Sequence, residues 1–350
     1  MNYIGSKYTL RPFLEQVYNK ITDGSEKVLC DVFAGTGAVG RHFKQLGLRI
    51  IANDLQYYAY VLNKAYLEIN EQPLFIGLRE KYASDINKYH SAFEKPVQEV
   101  LSFINSLPGV SGFITQNYSP EGSRLYYTKE NAQKADAIRQ AIKEWFANNL
   151  ITEQEYFYIL CSLLEAIDQV ANTASVYGAF LKEFKKSAKK ELRLKPLRLT
   201  SPVENCKVFN KDANELIKEI KCDILYLDPP YNHRQYGANY HVLETIASYD
   251  NPVISGITGM RDYKRSLYCQ VNTVKKAFKE LIESAHTKHI LVSYNDEGLM
   301  SFEDVHSILK LRGEPITFKT DYNRFKADNN REYKRKATVE YIHYVKVVDA

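Results

Sequence analysis

Short apolar runs alternate with amphipathic stretches toward both ends of the chain. The runs Lys27–Phe33, Arg49–Asp54 and 223–227 have the length and the apolar content of buried strands. Apolar residues recur at helical spacing in 213–220 and 274–285. Strands that alternate with helices predict an α/β fold with a mostly parallel sheet.

Four further stretches extend this sheet. A short strand is predicted at Lys207–Asp212, and others at His289–Asn295, Pro315–Lys319 and Thr338–Val348. The sheet should therefore contain about seven strands and end in an antiparallel pair. In such a Rossmann-like sheet, ligands bind beyond the carboxyl ends of the parallel strands.

The alternation stops between residues 75 and 200. Residues 106–128 are rich in Gly, Pro, Ser and Asn and are predicted to be a loop. Three stretches have apolar residues at helical intervals: Asn87–Asn105, Glu130–Asn148 and Glu153–Val170. We therefore expect a mainly helical domain at 75–200, inserted into a catalytic domain formed by 1–74 and 201–350.

The composition is ordinary for a globular protein, with 45% hydrophobic and 25% charged residues. No apolar run approaches the ~20 residues that span a bilayer, and the N-terminus has no signal-peptide pattern. A cytoplasmic protein of the bacterial cytosol or nucleoid, without a membrane partner, is expected. The five cysteines are scattered and form no C-x-x-C motif, so buried free thiols are expected and no metal site.

The positive charge is concentrated more than the net value of +5 suggests. Residues 182–198 hold eight Lys and Arg against two Glu, and 319–336 hold seven against three acidic residues. The first run has two interpretations. It is either the solvated face of a helix, or it contacts phosphates through Lys185, Lys186, Lys189 and Lys190.

A glycine loop follows the first predicted strand. It has the form Asp31-x-Phe33-x-Gly35-x-Gly37, not the G-x-G-x-x-G of a pyrophosphate cradle. An acid before the glycines disfavours a phosphate and suits a cationic or zwitterionic ligand, such as the amino-acid part of S-adenosylmethionine. Asp54 ends the next strand, where an acid can accept hydrogen bonds from ribose hydroxyls.

Two other predicted strands also end on acids, Asp212 and Asp228. The apolar run before Asp228 stops at Asp228-Pro229-Pro230-Tyr231. Two prolines end the strand pairing and fix the backbone, and they leave carbonyl groups available to a ligand. Each acid alone could be a helix cap, but three of them at strand ends around a glycine loop predict a ligand site.

These motifs together resemble the D12 class of DNA adenine-N6 methyltransferases. The resemblance rests on Asp228–Tyr231, on Asp31–Gly37, and on Tyr3-Ile-Gly-Ser-Lys7 at the N-terminus. This class contains the Dam enzymes and the methyltransferases of several restriction–modification systems. Residues 228–244 are most similar to methyltransferases of the FokI kind. The resemblance implies a Rossmann-like S-adenosylmethionine-dependent methyltransferase sheet with an inserted DNA target-recognition domain.

The resemblance also implies roles for individual residues. Asp31, Phe33, Gly35 and Gly37 would surround the methionine part of S-adenosylmethionine, and Asp54 would bind the ribose. Asp212 would reach the adenine of the cofactor, and Tyr3 and Lys7 would close the site. Tyr3 stands where related enzymes often have tryptophan. His233, Arg234 and Tyr236 would grip the target nucleotide.

The implied chemistry fits the residue types at 228–231. Hydrogen bonds to the Asp228 carboxylate and the Pro229 carbonyl would turn the lone pair of the adenine N6 amino group toward the methyl group. An adenine inside duplex DNA is out of reach, so it must be flipped out, and Tyr231 could stack on it. The expected partners are double-stranded DNA and a cognate restriction endonuclease.

Three alternatives remain at this stage. The first is a methyltransferase for RNA adenine, cytosine N4 or a protein glutamine. In place of Asp228, cytosine-N4 enzymes usually have Ser and glutamine enzymes have Asn. The second is a non-catalytic DNA-binding relative, which would be free to lose Asp228, Tyr231 and Asp54. The third is an NAD-dependent oxidoreductase, which the absence of G-x-G-x-x-G disfavours.

Overall fold

The computed structural model describes residues 5, 7–90, 95–296, 298–323 and 337–348, without the side chains of 321–323, 337 and 338. These residues form two compact units. The sheet unit consists of the described residues up to Asn63, of Thr200–Gly237 and of those from Lys264 onward. The helical unit consists of Lys64–Leu199 and Ala238–Tyr263, so it begins before the expected residue 75 and includes a second segment.

All but two short strands belong to one sheet in the sheet unit. In chain order the strands are β1 (Val28–Asp31), β2 (Arg49–Asn53), β3 (Lys207–Phe209), β4 (Ile224–Leu227), β5 (Ile254–Ser255), β6 (Met260–Arg261), β7 (His289–Asn295), β8 (Ile316–Asn323) and β9 (Ala337–Lys346).

The α-helices are distributed over both units. In chain order they are α1 (Arg11–Ile21), α2 (Ala38–Gln45), α3 (Tyr57–Asn63), α4 (Ile76–Lys81), α5 (Ala83–Ile86), α6 (Pro96–Ser106), α7 (Phe113–Tyr118), α8 (Lys129–Ala147), α9 (Glu153–Gln169), α10 (Ala213–Leu216), α11 (Tyr236–Asn239), α12 (His241–Ser248), α13 (Val271–Ser284) and α14 (Phe302–Leu309). None of the described helices is long and apolar enough to cross a membrane.

The sheet has seven strands in the order β3-β2-β1-β4-β7-β9-β8. Neighbouring strands among β3, β2, β1, β4 and β7 pair in parallel. Strand β9 pairs antiparallel with both β7 and β8. The prediction of a Rossmann-like sheet that ends in an antiparallel pair is thus confirmed. Because β1 and β4 are adjacent, the glycine loop and Asp228 follow neighbouring strands.

The core of the sheet unit explains why its central strands read as continuous apolar runs. All residues of β4 and β7 are buried, as expected for strands covered on both faces. Helix α13 covers one face with Val274, Phe278 and Leu281, which recur at the spacing of one helix face and are fully buried. All five cysteines are buried, as predicted, and none of them forms a disulfide.

Two predictions within the helical unit are wrong. A helix from Asn87 to Asn105 was expected, but α6 begins only at Pro96, because proline suits the first helical turn and not its interior. Residues 106–128 were expected to be loop but contain α7. The Asp136 carboxylate accepts hydrogen bonds from the backbone N–H groups of Gly112, Ile114 and Thr115, so a distant residue caps this helix.

Candidate active site

Three carboxylates lie at the carboxyl ends of three adjacent parallel strands of the sheet unit. Asp31 is the last residue of β1 and is level with Ala52 of β2 and Tyr226 of β4. Asp54 and Asp228 lie two residues beyond those partners along their strands. Because the carboxyl ends of parallel strands meet at one edge of the sheet, all three acids lie at this edge.

A buried lysine joins this edge from the N-terminal segment. Lys7 is 5% exposed, and its Nζ lies 3.3 Å from Asp228 Oδ1 and 3.4 Å from Glu340 Oε2. Its ammonium group also lies 5.7 Å from the centre of the Tyr231 ring, within the range of a cation–π contact. Lys7 therefore links the motif at 228–231 to strand β9, which carries Glu340.

The charges of this cluster oppose one another. Burial raises the pKa of Asp228 to about 6, with Lys7 opposing the rise and Glu340 adding to it. Burial also disfavours the charged form of Lys7, but the negative charges of Asp228 and Glu340 outweigh burial and raise the pKa of Lys7. The cluster of Lys7, Asp228 and Glu340 thus has one cation for two carboxylates.

Asp31 is a further buried carboxyl group at the same edge. It is 1% exposed, and its Oδ1 accepts a hydrogen bond of 3.2 Å from the Phe33 backbone N–H. Burial raises the pKa of Asp31 well above its usual range, and the negative charges of Asp228 and Asp54 add to this. Within the described part of the chain, no Lys, Arg or His forms an ion pair with Asp31. A cation brought to this edge would be attracted by Asp31 and Asp228.

The glycine loop is held by side chains on both sides. Asp54 accepts hydrogen bonds from the backbone N–H groups of Gly35 (2.8 Å) and Gln56 (2.9 Å). Asn63, at the end of α3, donates from Nδ2 to the Gly35 carbonyl at 2.9 Å. Gly37 has a φ of +75°, and a Cβ there would lie 2.6 Å from Asn63 Oδ1. Only glycine fits this conformation and this contact.

Phe33 lies in the same loop and contacts Tyr268 edge to face, with ring centres 4.8 Å apart. The Tyr268 hydroxyl donates to Asn214 Oδ1 at 2.7 Å. Asn214 also donates its backbone N–H to Asp212 Oδ1 at 2.9 Å, so Asp212 caps α10. Phe33 and Asp212 are therefore connected through two intervening side chains, and the carboxylate of Asp212 is exposed.

The residues directly after Asp228 form an irregular segment within the sheet unit. Pro229 is buried and Pro230 and Tyr231 are half-buried. The Tyr231 ring meets Tyr294 edge to face at 6.4 Å. Gly5 has a φ of +78°, and a Cβ there would lie 2.9 Å from the Tyr236 hydroxyl and 4.0 Å from that of Tyr231. The two tyrosines thus approach the same N-terminal glycine.

The segment between Tyr231 and Tyr236 is a loop, as predicted. His233 and Arg234 are exposed there, and the Arg234 backbone N–H donates to Asn232 Oδ1 at 2.9 Å. Gln235 fixes the far side of this loop by accepting a 2.8 Å hydrogen bond from the Ser266 backbone N–H. The side chains of His233 and Arg234 are therefore accessible at one end of the motif.

One predicted site residue, Tyr3, is outside the described residues. Lys185, Lys186, Lys189 and Lys190 belong to the helical unit, in a segment of turns and extended chain and not in a helix. Lys185 is partly buried and donates to the Thr173 carbonyl at 2.6 Å, and burial lowers its pKa. Lys186, Lys189 and Lys190 are exposed and form no ion pair with any acid that the structure describes.

Sequence reasoning missed two residues of this site, Glu340 and Asn63. Glu340 is 333 residues from Lys7 in the sequence. Its strand was predicted, but its contact with Lys7 was not. The available signal was that Glu340 is the single acid in the sequence of the stretch Ala337–Lys346. Asn63 similarly ends an apolar helical run, where a buried amide needs partners.

Comparisons with known proteins give one consistent result. A family model described as D12 class N6 adenine-specific DNA methyltransferase matches residues 3–308. The chain is 45% identical to the type II methyltransferase M.NlaIII of Neisseria lactamica, covering 98% of both proteins. It is 40% identical to the type II methyltransferase M.FokI of Planomicrobium okeanokoites, covering 99% of this chain but 52% of that protein. Identity to the type II methyltransferase M.CviAII of Paramecium bursaria Chlorella virus 1 is 34%, over 93% of both.

Proposed function

Since the chain belongs to the D12 class of N6 adenine-specific DNA methyltransferases, we propose that its sheet unit binds S-adenosylmethionine and receives the target adenine at Asp228–Tyr231. The class is adenine-specific and acts on DNA, so RNA adenine and cytosine N4 are set aside as substrates. The single observation that carries the proposal is the charge of the strand-end edge. There the buried Lys7 contacts two carboxylates, Asp228 and Glu340, and Asp31 is a further buried acid that interacts with Asp228 and Asp54.

This edge fits the proposed cofactor. S-adenosylmethionine carries a sulfonium and an ammonium group, so an anionic cleft suits it better than it would suit a nucleotide phosphate. Asp31 is the carboxylate without a basic partner among the described residues, and it would take the ammonium group. Its pKa, raised in the protein alone, should fall when that cation is near.

The glycine loop would provide backbone for the methionine part, with Phe33 as an apolar wall. Asp54 would accept hydrogen bonds from the ribose hydroxyls. Its oxygens have further lone pairs besides those that bind the backbone N–H groups of Gly35 and Gln56. Asp212, capping α10, would reach the adenine of the cofactor. Tyr3 and Lys7 are the remaining proposed contacts and would close the cofactor site.

The methyl donor supplies an electrophilic carbon on a sulfonium. The protein's part is to orient the amine that attacks it. The Asp228 carboxylate and the Pro229 carbonyl would each accept one N6–H hydrogen bond, which holds the nitrogen lone pair on the side of the methyl group. Such positioning can lower a barrier by about 7–11 kcal/mol in favourable cases. The methylated N6 would carry an extra proton, and the carboxylates of Asp228 and Glu340 would stabilise that positive charge until the proton passes to water.

The adenine would reach this site by leaving the duplex. Tyr231 is half-buried, and its ring is fixed by Tyr294 and Lys7, so it offers a preoriented face for stacking. Tyr236 lies next to it at Gly5, and the exposed His233 and Arg234 would hold the flipped nucleotide's backbone. The wild-type enzyme should therefore bind an unpaired target adenine more tightly than a paired one.

The helical unit is the proposed target-recognition part. Its exposed Lys186, Lys189 and Lys190, with the partly buried Lys185, would contact DNA phosphates and add affinity without sequence information. The three relatives described above are named type II methyltransferases. On that basis we assign the chain to a restriction–modification system with a cognate endonuclease as its functional partner.

An Asp228→Ala variant tests the site. Methyl transfer should be lost, while the dissociation constant for S-adenosylmethionine, measured by calorimetry, should change little. Asp212→Ala is the matched control, because it removes an exposed acid at the same edge. At saturating cofactor its rate of transfer should be normal, with weaker cofactor binding. Normal turnover by Asp228→Ala would refute the proposed arrangement.

A further inference from the structure

Two buried hydroxyl groups of the sheet unit have no role in the site described so far. They belong to Tyr226 on β4 and Ser293 on β7, which are 1% and 0% exposed. Neither hydroxyl has a hydrogen-bond partner among the residues that the structure describes. A buried polar group without a partner costs stability, so each such group in a folded protein calls for an explanation.

The sheet places both hydroxyls beside Asp228. Leu227 packs into the core of the sheet unit and is level with Val292 of β7. Because side chains alternate along an extended chain, Tyr226 points to the opposite face, and Asp228, two residues further on, shares that face. Ser293 follows Val292 and is therefore level with Asp228. Both hydroxyl groups thus belong to the face of the sheet that carries the proposed adenine site.

The electrostatic surroundings of Tyr226 also indicate that it is close to the acids of this edge. Burial raises the pKa of Tyr226 well above its usual range, and the negative charges of Asp228 and Asp31 raise it further. The nearby Ser293 hydroxyl opposes the rise, although the two hydroxyls form no hydrogen bond of normal geometry, and Glu340 adds to it. Tyr226 therefore keeps its proton, and its hydroxyl can donate a hydrogen bond to a carboxylate.

Asp228 has room for such a donor. Lys7 contacts the Asp228 carboxylate through Oδ1, with Nζ at 3.3 Å. A carboxylate has about four lone-pair sites, so Lys7 and the N6 amino group of the adenine do not exhaust it. Asp228 can direct N6 only if its carboxylate does not rotate about the Cβ–Cγ bond. A second fixed donor would prevent that rotation, and the Tyr226 hydroxyl proton is uncommitted in the protein alone.

We propose that Tyr226 is a positioning residue for adenine methylation. Its hydroxyl donates to the Asp228 carboxylate when the target adenine is bound, and the Ser293 hydroxyl in turn donates to the oxygen of Tyr226. This role rests on the proposed function, because it takes Asp228 as the acceptor of the N6 hydrogen bond. Neither hydroxyl contacts the adenine. Together they fix the direction of the Asp228 carboxylate and stabilise its ionised form.

Tyr226→Phe removes the hydroxyl and keeps the ring. Loss of a donor raises the pKa of a carboxylate, so the acid limb of the pH–rate profile should move up by about one to two pH units, the effect of one hydrogen bond to a charged group. The rate of the first turnover is measured with the full chain at saturating cofactor and at two concentrations of a duplex that contains the mapped recognition sequence. Saturating duplex reports the bound complex, where the limb should move, and limiting duplex reports the protein before DNA binds, where it should not.

Tyr127→Phe is the matched control. Tyr127 is a buried tyrosine of the helical unit, and its hydroxyl also has no hydrogen-bond partner among the described residues. Neither variant should unfold at a lower temperature than the wild type, because each loses a buried hydroxyl that made no hydrogen bond. The acid limb should move in Tyr226→Phe and stay in Tyr127→Phe. An equal movement in both variants would show a general effect and overturn the role of Tyr226.

Ser293→Ala tests the second step. It should move the acid limb in the same direction by a smaller amount, and it should add nothing when Tyr226 is already Phe, because Ser293 acts through Tyr226. Additive effects would overturn the part assigned to Ser293. An unaltered limb in Tyr226→Phe at saturating duplex, or the same movement at both duplex concentrations, would refute the positioning role. Retained methyl transfer by Asp228→Ala would instead contradict the proposed function, so the two failures are distinguishable.

Discussion

Replacing Glu340 by glutamine should change the pH dependence of methyl transfer in a specific direction. Asp228 must be a carboxylate to accept hydrogen bonds from N6, so the rate should be present above the pKa of Asp228 and lost as the pH falls through it. Burial raises this pKa to about 6, with Lys7 opposing and Glu340 adding. Removing the charge of Glu340 should therefore lower the pKa of Asp228 and move the acid limb of the rate profile to lower pH.

The size of the effect follows from the geometry. Lys7 Nζ lies 3.3 Å from Asp228 Oδ1 and 3.4 Å from Glu340 Oε2, so these two oxygens are at most about 6.7 Å apart. Two like charges at that distance repel by about 2.5 kcal/mol at an effective dielectric constant of 20. Since one pKa unit corresponds to about 1.4 kcal/mol, the acid limb should move down by more than one pH unit. Among the described residues, Asp31, Tyr226 and Tyr231 are further titratable groups that interact with this cluster.

The assay is the rate of a single turnover on duplex DNA at saturating cofactor, measured across the acid range. Lys7→Met serves as the companion variant, because loss of the cation should move the acid limb to higher pH. A residue with only a structural role would lower the rate equally at every pH. An unchanged acid limb in Glu340→Gln, or an upward movement, would refute the electrostatic role of Glu340.

Two further predictions concern cofactor and DNA binding. Gly37→Ala should weaken binding of S-adenosylmethionine at least about tenfold in calorimetry, because alanine disfavours the φ of +75° and its Cβ would lie 2.6 Å from Asn63 Oδ1; unchanged affinity would show that the loop adapts. The double variant Lys189→Glu and Lys190→Glu should lower DNA affinity and reduce the slope of log K against log salt concentration by about 2. Lys143→Glu, an exposed charge reversal in the same unit, is the control and should leave that slope unchanged. An unaltered slope in the double variant would exclude Lys189 and Lys190 from the interface.

The sheet and the strand-end acids were predictable because they depend on local patterns. The apolar runs before Asp54 and Asp228 end abruptly, and parallel strands bring such ends to one edge. The pairing of Lys7 with Glu340 was not predictable, because the two residues are 333 positions apart in the sequence. Their contact depends on the place of β9 beside β7 in the sheet. The cap that Asp136 provides for α7 was also not predictable, because it is a contact between residues that are distant in the sequence.

Asp54 illustrates a subtler limit. Its place at the end of β2 was expected, but its hydrogen bonds to the backbone of Gly35 and Gln56 were not. A sequence pattern identifies an acid near a glycine loop without revealing whether the acid serves the ligand, the loop or both. Removal of this carboxylate should therefore loosen the loop as well as weaken ribose binding, which makes Asp31 and Asp228 the cleaner probes of the site.

In the proposed mechanism, the chain methylates adenine N6 in one DNA sequence context through Asp228. This claim can be tested by base-resolved mapping of modified bases in DNA from cells that express the wild type or Asp228→Ala. The wild type should place N6-methyladenine in a single sequence context, and the variant should leave that context unmodified. Absence of N6-methyladenine with the wild type, or the same pattern with both proteins, would contradict the claim.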